Sequence, residues 1–157
     1  MTMPYRISGV VEATWTPPAE HAAETLWHPV FCLEAFNLDD DGVSAYLFGL
    51  SQVPSRQTKF AARGLPNDST RLVDLLAWDS DKNPAGTEGA AFGHTYASMS
   101  EIEWVLSRVN APKLADSSWR PLMSTIKHIQ SLHSDMDEEQ WRLIVWAHLP
   151  PTRYSPK

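Results

Sequence analysis

Segments with the character of β-strands lie at both ends of the chain, and this order constrains the fold more than any other feature. The first, YRISGVVEATW at residues 5–15, alternates in polarity and is rich in β-branched residues, with Ile7 and Val11 on one face. The last, WRLIVWAHL at residues 141–149, has a continuous apolar centre. Since helices and loops lie between them, we predict an α+β fold: a small, mainly antiparallel sheet covered by short helices on one face.

The middle of the chain alternates between short helical patterns and turns. We predict a second strand at 30–36, a brief strand at 59–61, and helices at 19–26, 43–53, 70–78, 100–109 and 120–133. Pro54 is expected to end the helix at 43–53. The segment 79–93 has no periodicity and contains three glycines, so it is predicted to be the longest loop, either functional or mobile.

Length and composition predict a single domain. The chain has 157 residues and is 43% hydrophobic; at this length a domain buries about two-thirds of the surface that its unfolded chain exposes. We assign the domain to residues 1–150 and a frayed tail to 151–157. The lone Cys32 excludes an internal disulfide, and no signal peptide or long apolar run is present. These features favour a cytoplasmic protein without a membrane partner.

Charge is unevenly distributed along the sequence. Residues 1–50 carry one arginine against seven carboxylates, whereas residues 51–71 carry four basic side chains against Asp68 alone. The four are Arg56, Lys59, Arg63 and Arg71. The net charge of −6 argues against binding of duplex nucleic acid, which normally rests on an extended basic surface. A small anionic ligand could use the short basic stretch.

Common catalytic and cofactor motifs are missing. The sequence contains no GxxxxGK[ST], GxGxxG, GxSxG or HExxH, so we predict no cofactor and favour a non-catalytic role. The segment DSDKNPAGTEGA at 79–90 approaches a calcium loop, but Pro84 replaces the required glycine and Ala90 the bidentate glutamate. We therefore predict no metal site.

The segment FGHTYASMSEIE at 92–103 places His94 near a predicted helix start. Ser100 and Glu103 have capping-box spacing, so a helix is expected to begin there, directly after a turn. A helix start offers free N–H groups and a partial positive charge. His94, with Thr95 and Tyr96 beside it, could therefore contact a phosphate. A structural alternative is that His94 closes the loop by bonding a backbone carbonyl.

The segment AARGLPNDS holds Arg63 at a rigid bend close to Arg56 and Lys59. A guanidinium there could present its planar fork to phosphate. A structural alternative is that Arg63 pairs with a carboxylate such as Asp68 or Asp79, and both readings can hold.

These two turns resemble a loose pattern found in small proteins of unassigned activity from tailed phages and prophages. The pattern runs through AYLFGLSQV, RGLPNDS, an acidic and glycine-rich loop, GHTYASMSEIE and QWRLIVWAHL, and covers roughly residues 33–149. The Arg-Gly-Leu-Pro and Gly-His elements are its specific parts. The chain departs from it at Ser98, where such proteins often have tryptophan, and at residues 147–149, where they often have Phe-Asp-Asn.

The resemblance implies a phage-encoded accessory protein acting in the bacterial host's cytoplasm. Such proteins often counter host defence, and one strategy is to sequester a nucleotide second messenger. Our leading hypothesis is a non-catalytic protein that captures a small phosphate-bearing nucleotide, and a homo-oligomer would suit that role. The expected ligand-binding residues are Arg63, Lys59, Arg56, His94, Thr95, Tyr96 and, as a stacking surface, Trp78.

Three alternatives remain open from the sequence. The chain could be a phosphodiester-cleaving enzyme with His94 as general base, assisted by Asp79 or Asp81. It could instead be an acidic inhibitor of a host enzyme that uses residues 39–41. Finally, the turns that contain Arg63 and His94 could have a structural role only.

Overall fold

Four antiparallel strands form a sheet at the centre of the structure, a computed structural model that describes residues 6–15, 26–38, 42–50, 58–61, 63–81, 91–108, 112–133 and 135–148. The strands are β1 (Arg6–Trp15), β2 (Leu26–Cys32), β3 (Ala91–Ser98) and β4 (Trp141–His148). Their order in the sheet is β2-β1-β4-β3. The two strands predicted at the ends of the chain therefore lie side by side in the middle of the sheet, and the α+β class is confirmed.

The inner position of β4 explains its apolar sequence. Residues 141–147 are all buried, because strands flank β4 on both edges and side chains cover both of its faces. Val145 belongs to the core on one face, whereas Ile144 and Trp146 belong to a second cluster on the other. An unbroken apolar run is the pattern expected of a fully buried strand.

Within the described ranges, four α-helices pack on the sheet, and they cover both of its faces rather than one. They are α1 (Gly42–Phe48), α2 (Arg71–Asp81), α3 (Met99–Leu106) and α4 (Trp119–Ser131). Residues of α1, α3 and α4 join the larger core, whereas Val73 of α2 packs with Val10, Ile144 and Trp146 in the second cluster. We call these the α3 face and the α2 face. Among the described helices, none combines the length and the hydrophobicity that a membrane span requires.

Two predicted boundaries on the N-terminal side are wrong. The second strand ends at Cys32, and Leu33–Phe36 forms a 3-10 turn instead of its continuation. Helix α1 ends at Phe48 rather than near Pro54, because Gly49 adopts a left-handed φ of +68° that a helix cannot continue. The predicted helix at 19–26 lies outside the described residues except for Leu26, which begins β2.

The predicted brief strand at 59–61 is a bend that caps α1. The N–H groups of Lys59 and Phe60 donate to the carbonyls of Tyr46 and Leu47, at 3.0 and 2.7 Å. The last carbonyls of a helix have no partner within the helix, so this bend satisfies two of them. Phe60 is consequently buried beside α1.

Helix α2 is longer than predicted and presents a different face. It extends to Asp81, into the segment predicted to be a loop, while residues 82–90 lie outside the described residues. Its sequence pattern predicts that Leu72, Leu75 and Leu76 face inward; Leu72 and Leu76 are half-buried, but Leu75 is 52% exposed. The fully buried positions are Val73 and Ala77.

Helix α4 follows its predicted position closely. The helical spacing predicts one face lined by Leu122, Ile126, Ile129 and His133. Leu122 and Ile126 are buried, and Ile129 packs partly against the same core. His133 lies beyond the end of the helix and is exposed. The proposed tail at 151–157 lies outside the described residues.

Candidate functional site

The two predicted ligand turns meet at the outer edge of β3. Gly64 donates its N–H to the carbonyl of His94 at 2.9 Å, and Nη1 of Arg63 donates to the carbonyl of Tyr96 at 3.2 Å. On the buried side, the hydroxyl of Thr95 donates to the carbonyl of Phe60. The segment around Arg63 therefore covers an edge strand whose polar groups would otherwise be open to another chain.

The N-cap of α3 lies two residues earlier than the predicted Ser100, and the residues before it, including His94, form strand β3 rather than a turn. Ser98 is the N-cap: its Oγ accepts from the N–H of Glu101 at 3.1 Å, and Oε2 of Glu101 accepts from the N–H of Ser98 at 2.9 Å. Ser98–Glu101 and Ser100–Glu103 both have the spacing of a capping box. The structure uses the earlier pair, with Met99 and Ile102 buried in the core.

His94 lies within β3 and faces α2. Its ring stacks on that of Trp146, with centroids 5.9 Å apart and planes 28° from parallel. The register shift between Phe92 and Thr95 makes this possible, and it depends on Gly93, whose φ is +70°. A Cβ at Gly93 would lie 2.6 Å from Cδ2 of Leu50, so no larger residue fits there without movement.

Tyr96 and Thr95 point to opposite faces of the sheet. Tyr96 packs half-buried against the cluster on the α2 face, as expected of a residue two positions from His94. Thr95 is fully buried toward Phe60 on the α3 face. The three consecutive residues predicted to contact one ligand therefore do not share a surface.

The fork of Arg63 is bound to a carboxylate, but not to either one that we predicted. Nη1 and Nη2 donate to Oε2 and Oε1 of Glu101 at 3.0 and 2.9 Å. This bond holds the pKa of the Glu101 carboxyl below its ordinary value. Asp68 instead accepts from Arg142, and the side chain of Asp79 lies outside the described part of the structure.

Of the three remaining residues predicted to bind the ligand, the structure describes the side chain of one. Lys59 is exposed, with its ammonium 5.5 Å from the centre of the Tyr46 ring. Arg56 lies outside the described residues. Trp78 belongs to α2, but its side chain is not among those described.

A cavity of about 460 Å³ lies beside the Arg63–Glu101 pair, on the α3 face. It is lined by Phe60, Ser100, Glu101, Trp104 and Val105. Its volume falls in the range typical of small-molecule sites, roughly 300–1,000 Å³. Apolar side chains with a few polar groups form its wall, as such sites require.

This cavity was not predicted from the sequence, because a tryptophan within an apolar helical pattern is expected to be buried. The indole is instead 61% exposed. The available signal was helical spacing: Trp104 is three residues after Glu101 and four before Arg108, so the helix predicted at 100–109 would place all three on one face. The buried residues Ile102 and Val105 lie on the other. In the structure α3 ends at Leu106, and Arg108 follows it.

A guanidinium lies over each of the two aromatic rings that line the cavity. The Cζ of Arg63 lies 4.7 Å from the centre of the Phe60 ring, and that of Arg108 lies 3.7 Å from Trp104. These distances are typical of cation–π contacts. The cavity thus has an aromatic wall, two arginines beside it and one carboxylate within it.

A second cluster of polar side chains, on the α2 face, has a structural role. Arg142 donates from Nε to Oε2 of Glu12 at 2.8 Å and from Nη1 to Oδ1 of Asp68 at 2.7 Å. Oε1 of Glu12 accepts from the N–H of Thr70 at 3.0 Å. Trp27 lies over the guanidinium at 3.7 Å and donates to Asp68 at 2.9 Å. The cluster fastens the start of α2 to the sheet and positions the turn that follows Arg63.

The structure describes only some of the residues on which the enzyme and inhibitor alternatives depend. Residues 39–41 and the side chains of Asp79 and Asp81 lie outside what the structure describes. Within the described part, no group of three or more His, Cys, Asp or Glu side chains is arranged to hold a metal ion. No protein-family model, curated protein or solved structure matches this chain.

Proposed function

We propose that this protein is a non-catalytic binding protein that captures a small nucleotide carrying phosphate. The observation that carries the proposal is the cavity beside Phe60 and Trp104, with a guanidinium on each ring. The ligand site proposed from the structure is thus the α3 face. Of the residues expected from the sequence, Arg63 is retained in this site.

The walls of the cavity suit a flat heteroaromatic ring. Its apolar lining consists of the buried Phe60 and Val105 and the exposed indole of Trp104. Stacking of a nucleobase on an aromatic side chain contributes about 1–3 kcal/mol. Because the indole is already largely exposed to solvent, covering it with a base also removes apolar surface from water.

The charges beside the cavity favour an anion. Arg63 uses its two terminal nitrogens for Glu101 and Tyr96, and among the described residues nothing accepts from its Nε–H. That edge of the guanidinium can donate to phosphate without breaking the pair with Glu101. An organic cation, which could also suit an aromatic wall and a carboxylate, would meet the guanidinium groups that already lie over both rings.

The resemblance to phage proteins supplies the setting that we propose. The protein would act in the cytoplasm of an infected bacterium and sequester a nucleotide signal of the host's immune system. Binding without turnover is sufficient for that role, because sequestration lowers the free concentration of the signal. The setting rests on the resemblance alone, whereas the ligand class rests on the cavity.

Native mass spectrometry and calorimetry test the proposal. The purified protein would be titrated with nucleoside monophosphates, cyclic mononucleotides and cyclic dinucleotides. Trp104→Ala removes the exposed indole, and Arg63→Met removes the guanidinium. Matched controls are Leu132→Ala, another exposed apolar residue, and Arg120→Ala, an exposed arginine on α4.

We expect at least one nucleotide to bind and both site variants to weaken it. Loss of a hydrogen bond to a charged group costs about 1.5–3 kcal/mol, or roughly a tenfold to hundredfold loss of affinity. The two control variants should bind as the unmodified protein does. A folded protein that binds no nucleotide, or whose binding survives both site substitutions, would refute the proposal. Turnover of the bound nucleotide would favour an enzyme instead.

A further inference from the structure

We infer that the cavity selects a nucleobase with an exocyclic amino group, and that Glu101 is the residue that recognises it. This inference rests on the proposed function and adds the class of base to it. It starts from the charged side chain that lines the cavity, which is an acceptor of hydrogen bonds.

The bonds of Glu101 leave one carboxylate oxygen with acceptor capacity. Oε2 accepts from both Arg63 and the N–H of Ser98, at 3.0 and 2.9 Å. Among the described residues, Oε1 accepts only from Nη2 of Arg63, at 2.9 Å. Each carboxylate oxygen has two lone pairs, so Oε1 can accept one further bond.

Glu101 is also fixed in place and ionised. Arg63 and the N-cap of α3 hold its carboxylate from two sides, so little side-chain entropy is left to lose on binding. The hydrogen bond from Arg63 lowers the pKa of the carboxyl, which keeps it an acceptor at neutral pH. The side chain is 40% exposed, so a ligand in the cavity can reach it.

The bases differ in what they can offer to such an oxygen. Adenine, guanine and cytosine carry an amino group, whose N–H can donate to Oε1. Uracil has one donor at its pairing edge, N3–H, which lies between two carbonyl oxygens that a carboxylate repels. Hypoxanthine keeps the N1–H of guanine but lacks its amino group, so both bases offer Oε1 fewer donors than their amino counterparts. Sites built around a hydrogen bond discriminate strongly against analogues that cannot make it.

Ser100 provides an adaptable second contact. Its hydroxyl lines the cavity and lies 3.0 Å from Oγ of Ser98, with either group able to donate. A hydroxyl can donate to or accept from a base. We therefore assign the discrimination to Glu101, whose carboxylate can only accept.

Two matched pairs of 5′-monophosphates test the inference by calorimetry: GMP with IMP, and CMP with UMP. IMP is GMP without the amino group of the base. UMP has a carbonyl at the position where CMP has its amino group. We expect the amino member to bind about tenfold more tightly, equal to about 1.4 kcal/mol. Glu101→Gln should reduce this preference, because the amide can also donate to a carbonyl, while Glu103→Gln should retain it.

The outcomes separate this inference from the proposed function. Equal affinity within both pairs, or a preference that persists unchanged in a folded Glu101→Gln variant, overturns the inference alone. Failure of all four nucleotides to bind the unmodified protein also overturns the inference. The proposed function is refuted only if the cyclic mononucleotides and cyclic dinucleotides fail to bind as well. Far-ultraviolet circular dichroism and urea unfolding of each variant establish that the fold is retained.

Discussion

Arg142 on β4 and Glu12 on β1 form a buried ion pair across the two central strands, with Nη2 of the arginine 2.7 Å from Oε2 of the glutamate. The side chains are 6% and 0% exposed. Arg142 also binds Asp68, and Glu12 also binds the N–H of Thr70, so each charge has more than one partner. Such pairs persist only where hydrogen bonds offset the loss of hydration.

Glu12→Ala is predicted to destabilise the protein by about 3–5 kcal/mol, because it leaves the Arg142 guanidinium buried without its main counter-charge. Urea unfolding followed by tryptophan fluorescence measures the change in the free energy of unfolding. Glu139→Ala, at an exposed position, serves as the control and should change it little. A loss below about 1 kcal/mol for Glu12→Ala would show that the ion pair does not hold the strands together.

The stability of the protein is predicted to fall in acid partly through Asp68. The hydrogen bond from Arg142 lowers the pKa of the Asp68 carboxyl from its ordinary value of 3.8. A lowered carboxyl pKa contributes stability that is complete above the ordinary pKa and is lost as the pH falls through the lowered value. The contribution is modest because the side chain is 66% exposed.

Urea unfolding between about pH 6 and pH 3 checks this prediction. Asp68→Asn should be less stable than the unmodified protein at the upper end, and the two should converge toward the lower end. Some acid sensitivity should remain in the variant, because Glu101 also has a lowered pKa. Curves that stay parallel over the whole range would argue against a role for Asp68.

Ser98→Ala is predicted to cost about 1 kcal/mol of stability, because Ser98 caps α3 through its bond to the N–H of Glu101. Ser100→Ala should cost clearly less, since Ser100 follows the N-cap inside the helix. Urea midpoints of the two variants, compared at equal m-values, measure the difference. The opposite ranking would place the helix start at Ser100, as the sequence pattern suggested.

Arg63→Met is predicted to reduce stability by no more than about 1 kcal/mol, because the pair with Glu101 is partly solvent-exposed. The methionine keeps apolar contact with Phe60 and removes the bond to the carbonyl of Tyr96. Thermal unfolding should remain cooperative with a small shift in Tm. A variant that fails to fold would mean that cover of the β3 edge, rather than a ligand, accounts for the arginine.

The sequence predicted most elements but not which of the proposed ligand-binding residues share a surface. The strand at the C-terminus and the helix at α4 were found because their apolar patterns are long. His94 was expected in a turn because it precedes the capping-box pattern of a helix, whereas residues 91–98 form a strand by pairing with β4, a long-range contact that local spacing does not reveal. A tryptophan in an apolar helical pattern is usually packed in the core, but Trp104 is 61% exposed, which agrees with its helical spacing from Glu101 and Arg108.

The sequence by itself determined the fold class, because strand and helix periods are local properties of the chain. It also indicated that Arg63 would be held at a rigid turn. Only the tertiary structure decided that this arginine binds Glu101, 38 residues away, and that it stacks on Phe60 beside the cavity. Which residues share a surface depends on strand order and on the side of the sheet to which each helix packs. Those features arise from contacts between residues far apart in the sequence, which local sequence patterns do not specify.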